Sequence, residues 1–338
     1  MKFLDLFAGI GGFRFGMESA GHECIGFCEI DKFARASYKA IHNTEGEIEL
    51  HDITTVTDEK IRNIGHVDVI CGGFPCQAFS IAGARRGFED TRGTLFFEIA
   101  RFASILRPKL LFLENVKGLL NHDKGNTFKT IIRALDELGY DVEWEVFNSK
   151  HFGVPQNRER VFIIGHSRTE RSGNVFPFGG KIKNADPGLE NEIKKYGTIK
   201  PNFNQSGVVY ETDGIAPTIR CYGGGGLEPK IRVKEATSQG YAEAQIGDSV
   251  NLSHPNSKTR RGRVGKQIAN TLLTGESQGV VEPGFRIRKL TPRECWRLQG
   301  FPDWAFDKAQ EVNSNSQLYK QAGNSVTVNV IAAIAERL

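Results

Sequence analysis

Three short stretches carry side chains suited to chemistry at the ends of apolar runs. The first is Ile70-Cys71-Gly72-Gly73-Phe74-Pro75-Cys76-Gln77. Val67-Asp68-Val69-Ile70-Cys71 reads as a short buried strand bounded by a glycine pair. Gly72, Gly73 and Pro75 then read as a sharp, rigid turn. Cys76 is thereby presented at the carboxyl end of a strand, where open α/β sheets gather ligands and catalytic groups. A thiol there is a candidate nucleophile, although an isolated cysteine is more often a small buried hydrophobe. The second stretch is the apolar strand Leu110–Leu113, which delivers Glu114-Asn115-Val116 to the same rim and places an acid/base partner beside the thiol. In the third, Gln156-Asn157-Arg158-Glu159-Arg160, two arginines two residues apart share one side of an extended segment. They can bind phosphate, hold a carbonyl oxygen, or pair on the surface, the last being the ordinary case.

A ligand site is written near the start of the chain. Residues 2–7 form an apolar strand that runs into Ala8-Gly9-Ile10-Gly11-Gly12-Phe13. Strand, glycine turn and a helix from about Gly12 to Ala20 open a nucleotide-binding βαβ unit. The spacing is not the dinucleotide GxGxxG and no Walker lysine follows, so NAD and ATP lose weight. The second strand, Cys24–Cys28, ends in Glu29-Ile30-Asp31, with an acid placed to accept hydrogen bonds from a ribose. The plain alternative for Glu29 is a helix-start acid favoured by the macrodipole. His51-Asp52-Ile53 offers a further acid that could hold an adenine amino group.

These groups need elements to position them. Helices are expected near 32–42, from about Gly93 to Leu106, and over 126–138, where Phe128, Ile131, Ile132, Leu135 and Leu138 share one face. Strands are expected over 140–148 and 160–166. Residues 77–92, with Ser80 and with Arg85 and Arg86 between glycines, read as a basic flap. From about 174 to 285 the chain becomes rich in Gly, Asn, Ser, Thr and Lys and loses periodicity. It carries a rough echo, Gly214–Ile219 and Gln267–Leu272, and a run from Lys258 to Lys266 with five bases and no acid. Such a run is usually a solvated face; beside a catalytic domain it also suits a nucleic-acid backbone. Thr291-Pro292-Arg293-Glu294 is a capping box that starts a helix to Gly300. Gln321-Ala322-Gly323-Asn324-Ser325-Val326 leads into a final apolar helix, expected over about 324–338.

The bulk numbers exclude several classes. With 338 residues, 39% hydrophobic and 25% charged, the chain has an ordinary globular composition and room for two domains. No apolar run approaches the length of a membrane span, and the start is too soon acidic for a signal peptide, so a cytoplasmic location is expected. Among six cysteines there is no CxxC pair; Cys24 and Cys28 read as core, and no metal site is expected. A net charge of +4 hints at a polyanionic partner.

Taken in order, these stretches resemble one family, the bacterial and phage DNA (cytosine-5) methyltransferases. The resemblance rests on Asp5-Leu-Phe-Ala-Gly-Ile-Gly-Gly12, Gly73-Phe-Pro-Cys-Gln77, Glu114-Asn-Val116, Gln156-x-Arg158-x-Arg160, Arg288 to Pro302, and Gln321-x-Gly-Asn-Ser-Val326. It covers about 1–166 and 286–338; the stretch between corresponds to the family's variable target-recognition region. What the resemblance implies is a doubly wound mixed α/β sheet with a smaller, irregular, mostly β domain inserted before the C-terminal helix. The division would be 1–173 for catalysis and cofactor, 174–285 for target recognition, and 286–338 for a segment whose last helix returns to the first domain.

The resemblance also implies S-adenosylmethionine as cofactor and a specific short double-stranded DNA sequence as partner. The expected state is a monomer, and any cognate restriction endonuclease in the cell is not expected to be a physical partner. Cys76 would be the nucleophile, Glu114 the acid/base, and Arg158 and Arg160 the cations beside the base. Phe7, Ala8, Gly9, Gly11, Gly12, Glu29, Ile30, Asp52, Ile53, Phe74, Leu95, Asn324 and Val326 would line the cofactor. Gln77, Ser80, Arg85, Arg86, Thr218, Arg220, Arg260, Arg261, Arg263 and Thr271 would meet DNA, with Arg232 and Gln239 as further candidates. Thr218 and Thr271 each stand in a dipeptide like the family's recognition pair. Two rivals stay open: an RNA cytosine-5 methyltransferase, and a DNA-binding relative without turnover. The long variable stretch favours a duplex reader, and intact Cys76 and Glu114 favour turnover.

Overall fold

The computed structural model describes residues 1–75, 95–169, 173–176, 209–210, 230–255, 257–275, 277–283 and 286–338. Cys76, Gln77, Ser80, Arg85, Arg86, Thr218 and Arg220, and the flap 77–92, lie outside these residues. The large sheet is built from β1 (Lys2–Leu6), β2 (Glu23–Cys28), β3 (Ile48–Leu50), β4 (Val69–Gly73), β5 (Leu110–Val116), β6 (Tyr140–Asn148) and β8 (Glu159–Ser167). A two-residue strand, β7 (Gln156–Asn157), precedes β8. The order is β3-β2-β1-β4-β5-β8-β6. The strands β1 to β5 pair in parallel, and β8 runs antiparallel to both neighbours. The sheet is therefore mixed and doubly wound, as expected.

Nine helices accompany it among the described residues: α1 (Gly12–Ser19), α2 (Lys32–Ile41), α3 (Asp58–Arg62), α4 (Leu95–Leu106), α5 (Asn126–Glu137), α6 (Pro292–Leu298), α7 (Asp303–Val312), α8 (Asn315–Asn324) and α9 (Val328–Ala335). Strand side chains alternate between two covered faces. Leu4, Ile70, Leu111, Leu113 and Ile163 pack under α4 and α5; Phe3, Val69, Phe112, Phe162 and Ile164 pack under α1 and α9. Each such fully buried side chain contributes about 1.5–3 kcal/mol.

The strand before Cys76 differs from its expectation. It begins at Val69 and includes both glycines, neither of which has a positive φ. Close approach explains them instead: a Cβ at Gly72 would stand 3.0 Å from the Leu6 carbonyl oxygen, and one at Gly73 would stand 3.2 Å from Glu114 Oε2. The chain end differs too. Asn324 ends α8, residues 325–327 form an extended link, and the last helix begins only at Val328.

The later strands form a separate small β assembly. β9 (Val209–Tyr210), β10 (Lys230–Lys234) and β11 (Tyr241–Ala244) make one sheet; β12 (Ser249–Asn251), β13 (Val264–Gly265), β15 (Gln278–Val281) and β16 (Ile287–Lys289) make another. They share a core of Ile231, Val233, Ala244, Val250 and Val281. β16 lies past residue 285 yet pairs with β15. β14 (Ala269–Asn270) leaves this assembly and pairs in parallel with β7. Among the described residues no helix is long and apolar enough to cross a membrane.

Candidate active site

β1 ends in a turn of left-handed residues: Phe7 at φ 57°, Gly9 at 58° and Gly11 at 86°. Phe7 is the costly one, since a side chain there loses on the order of 1 kcal/mol. The Gly9 N–H donates to Glu29 Oε2 at 2.8 Å, and the Asp31 N–H donates to Oε1 at 2.7 Å. Burial raises the Glu29 pKa, opposed by these two bonds. Glu29 is thus no helix-start acid; the cap of α2 is Asp31, which accepts from Phe33 and Ala34 and pairs with Lys320 at 2.6 Å. Ile30, beside it, is 66% exposed.

Glu29 N–H donates to the Leu50 carbonyl, which brings the end of β3 alongside. Two residues on, Asp52 Oδ1 accepts from the Thr54 hydroxyl and N–H. The Thr54 hydroxyl first, then its N–H, hold this carboxyl below its usual range. Val326 packs against the start of α1, its Cγ2 2.7 Å from where a Cβ at Gly12 would stand. Ala8 and Ile53 are buried, Leu95 packs with Phe7 against the same core, and Asn324 is exposed at the end of α8. Phe74 is buried against Phe96, and its carbonyl accepts from Asn115 Nδ2 at 2.8 Å.

Beneath the turn, Asp5 is fully buried with both carboxylate oxygens lacking a partner among the described residues. Burial pushes its pKa up to about 8, with Arg14 opposing. The native chain therefore keeps this proton up to about pH 8, while the unfolded chain loses it near its ordinary value of 3.8. Between those limits the native state binds more protons, so stability falls as pH rises and levels off above the folded value. Asp5→Asn removes the titration. The mutant-minus-parent difference in unfolding free energy should grow in the mutant's favour from pH 4 to 8, by at most about 1.4 kcal/mol per unit. Denaturant melts across that range test this; a constant difference would mean that Asp5 is ionised in the fold.

On the rim, register places Gly73 opposite Glu114 across β4 and β5, and Arg160 opposite Val116 across β5 and β8. Arg160 Nε meets Glu114 Oε1 at 3.0 Å. Glu114 is 8% exposed, and burial raises its pKa, with Arg160 and then Arg158 opposing. Arg158 is 2% exposed; burial first, then Arg160, lowers its pKa to about 9, against Glu114. Its Nη2 donates to the carbonyls of Ser325 at 2.7 Å and Gly323 at 3.2 Å. Its Nε and Nη1 have no partner among the described residues. The arginine pair is thus not a surface pair, which corrects the ordinary expectation; it is Glu159 that stays outside, bound to Lys117. A buried carboxyl that resists ionisation between two guanidinium groups can hold and pass a proton.

The small assembly reaches this rim. Thr271 donates its hydroxyl to the Asn157 carbonyl at 2.7 Å, and Gln156 Oε1 accepts from the Leu272 N–H at 3.1 Å. A Cβ at Gly323 would lie 2.4 Å from the Leu273 carbonyl oxygen, so backbone from three regions meets there. The basic run divides. Lys258 and Arg261 are exposed and Arg260 is partly so, but Arg263 is 6% exposed. Its Nε donates to the Asn251 carbonyl and its Nη1 to that of Lys234, each at 3.0 Å. Arg263 is therefore turned inward to fold the assembly, correcting its expected place on DNA. Arg232 lies 4.3 Å from the centre of the Tyr241 ring. The signal missed for Arg158 and Arg263 was pairing with main-chain carbonyls remote in sequence.

The family model for C-5 cytosine-specific DNA methylase matches residues 1–338. The Type II methyltransferase M.HpaII of Haemophilus parainfluenzae is 39% identical over 346 residues, covering 99% of this chain and 88% of its own. The orphan methyltransferase M.SPRI of Bacillus phage SPR is 34% identical over 431 residues, covering 100% and 97%. Among solved structures, a prophage-encoded DNA modification methyltransferase from E. coli has a TM-score of 0.58 at 23% identity, covering 99% and 97%. The S. pombe Dnmt2 methyltransferase has a TM-score of 0.57 at 17% identity, covering 98% and 96%. These last two speak for the fold.

Proposed function

The chain belongs to the C-5 cytosine-specific DNA methylase family and is a DNA cytosine methyltransferase; on that premise we propose that it methylates C5 of a cytosine flipped out of a short specific duplex sequence, through a covalent bond from Cys76 to C6, with S-adenosylmethionine as donor. The observation that carries this reading is the buried Glu114 between Arg160 and Arg158, one strand across from the segment that leads to Cys76.

The cradle fits the cofactor. Gly9 has open space where a Cβ would stand, Glu29 is held rigid for a ribose, and exposed Ile30 with Asp52 offers an apolar face and an acceptor to an adenine. When bound, S-adenosylmethionine supplies an electrophilic methyl group. The chain's own residues do the rest. C5 of cytosine is a poor nucleophile, so the Cys76 thiolate adds to C6 and makes the ring an enamine. Glu114 holds a proton at N3 as charge builds there, and its raised pKa keeps that proton available. Arg160, with Arg158 behind it, favours the anionic forms of ring and thiol. Once C5 is alkylated, loss of its proton and departure of the thiolate from C6 restore the ring. Attack from above the ring plane requires the base to leave the stack.

In this reading, residues 1–173 and 286–338 bind the cofactor and carry the chemistry, and 174–285 select the site, with Thr271 beside the rim. Radiolabelled S-adenosylmethionine incubated with the full chain and either DNA or RNA tests it. Label is expected in 5-methylcytosine of duplex DNA, at one short sequence. Label confined to RNA, or absent from DNA, would overturn the reading.

A further inference from the structure

Segments far apart in sequence meet at a pair of fully buried amides, Gln156 on β7 and Gln299 just past α6. Gln156 Nε2 donates to the Leu298 carbonyl at 2.8 Å and to Gln299 Oε1 at 3.3 Å, while its Oε1 takes the Leu272 N–H at 3.1 Å. Gln299 Nε2 donates to the carbonyls of Ala322 at 2.7 Å and Ser325 at 3.3 Å. Its Oε1 also accepts from the Thr327 hydroxyl at 2.9 Å, and the Gln299 carbonyl takes the Val328 N–H at 2.9 Å. Both donors of each amide are thus used, and turning either amide over would set its oxygen against carbonyl oxygens. A buried polar group paired this completely is held in one geometry. Removing one member leaves its neighbours unsatisfied, at about 1–3 kcal/mol each.

The partners belong to regions with different work. Leu272 follows β14, which leaves the small assembly to pair with β7, and its neighbour Thr271 is bonded to Asn157. Residues 322–327 end α8 and form the link to α9; they include Asn324 and Val326, both expected beside the cofactor. The Ser325 carbonyl that takes the Gln299 amide also takes Arg158 Nη2, so the cation behind Glu114 rests on the same link. Apolar packing follows the same path: Leu272, Trp296 and Ala322 share one core with Ile10 of the glycine turn. Neither amide has a spare donor to offer a ligand. Their work is to hold position.

We infer that Gln156 and Gln299 are positioning residues whose paired amides hold strand 269–272 and the link 322–327 as one unit, so that a duplex seated at Thr271 sets the link in the geometry that binds cofactor. This rests on the proposed function. By reciprocity the same bridge makes bound cofactor favour the duplex. The test uses the full chain and calorimetry with the inert product S-adenosylhomocysteine, with and without the duplex that the parent methylates. The parent should bind it about fivefold or more tightly when that duplex is present. Gln156→Met cuts the arm to Leu272 only: its affinity without DNA should match the parent's, and the gain from the duplex should fall toward one. Gln299→Met frees the link itself, so kcat at saturating DNA should also drop, by about tenfold or more. Thr327→Val keeps the side-chain shape and removes one donor to Gln299; should Gln156→Met fail to fold, it reads the same loss of gain. If the parent methylates no DNA, the functional reading itself falls. If the parent is active but shows no gain from the duplex, or if folded Gln156→Met and Thr327→Val keep the parental gain, this inference falls alone.

Discussion

Cys76→Ala is expected to abolish methyl transfer, by a factor of at least about 10⁴, the scale on which loss of a covalent nucleophile is felt. The glycine turn and Glu29 lie on β1 and β2, so S-adenosylmethionine binding measured by calorimetry should be nearly unchanged. The chemical reason is specific. Without addition at C6, C5 has too little electron density to attack the methyl sulfonium, and no other described side chain on the rim can take the thiolate's place. Cys24, Cys28, Cys71 and Cys295 are buried, and burial pushes the thiols of Cys24, Cys28 and Cys295 up to about 12. DNA bearing 5-fluorocytosine at the target should trap the parent enzyme covalently, because the proton that must leave C5 is missing, and should not trap Cys76→Ala. A Cys76→Ala protein that methylates at a near-parental rate would end the covalent mechanism.

Glu114→Gln is expected to lower kcat by about 10²–10⁴, the usual worth of a positioned acid or base, with cofactor affinity hardly moved. The amide keeps the size of the carboxyl and one acceptor toward Arg160, so the rim should stay assembled. What it lacks is the proton. Because burial raises the Glu114 pKa, the protonated form persists further toward neutral pH than in an ordinary glutamate. If that form does the work, parental kcat falls as pH rises through the Glu114 pKa, and Glu114→Gln loses this limb of the profile. A collapse of cofactor affinity instead would place Glu114 in the cofactor site. Glu114 also depends on Gly73: a side chain there would press on Oε2 at 3.2 Å, so the glycine before Phe74 serves the carboxyl as well as the strand.

Much of this protein is determined locally, and such features are legible in the chain itself. The glycine turn after β1 needs residues that accept left-handed angles, and Gly9 and Gly11 supply them. The apolar face of α5 follows from its own spacing. The capping box of α6 is a contact between neighbours: Glu294 N–H reaches the Thr291 hydroxyl, and Thr291 N–H reaches the Glu294 carboxylate. The ends of β4 and β5 lie side by side as parallel neighbours, and two apolar runs that each end in a chemical side chain already imply one shared rim for Glu114 and the Cys76 segment.

Tertiary structure decided what depends on partners far along the chain. α7 has a proline cap without a side-chain bond, and no side chain caps α8 either. Their stability comes from Trp296, Phe301, Phe306 and Leu318 packing together, which no local pattern announces. Arg158 and Arg263 look alike in sequence to any solvent-facing base. One is drawn inward by the carbonyls of Gly323 and Ser325, the other by those of Lys234 and Asn251. Thr271 is set beside the rim by Asn157, 114 residues away. Burying a guanidinium is favourable only where carbonyls already converge, and that convergence is a property of the folded backbone rather than of the residues around each arginine.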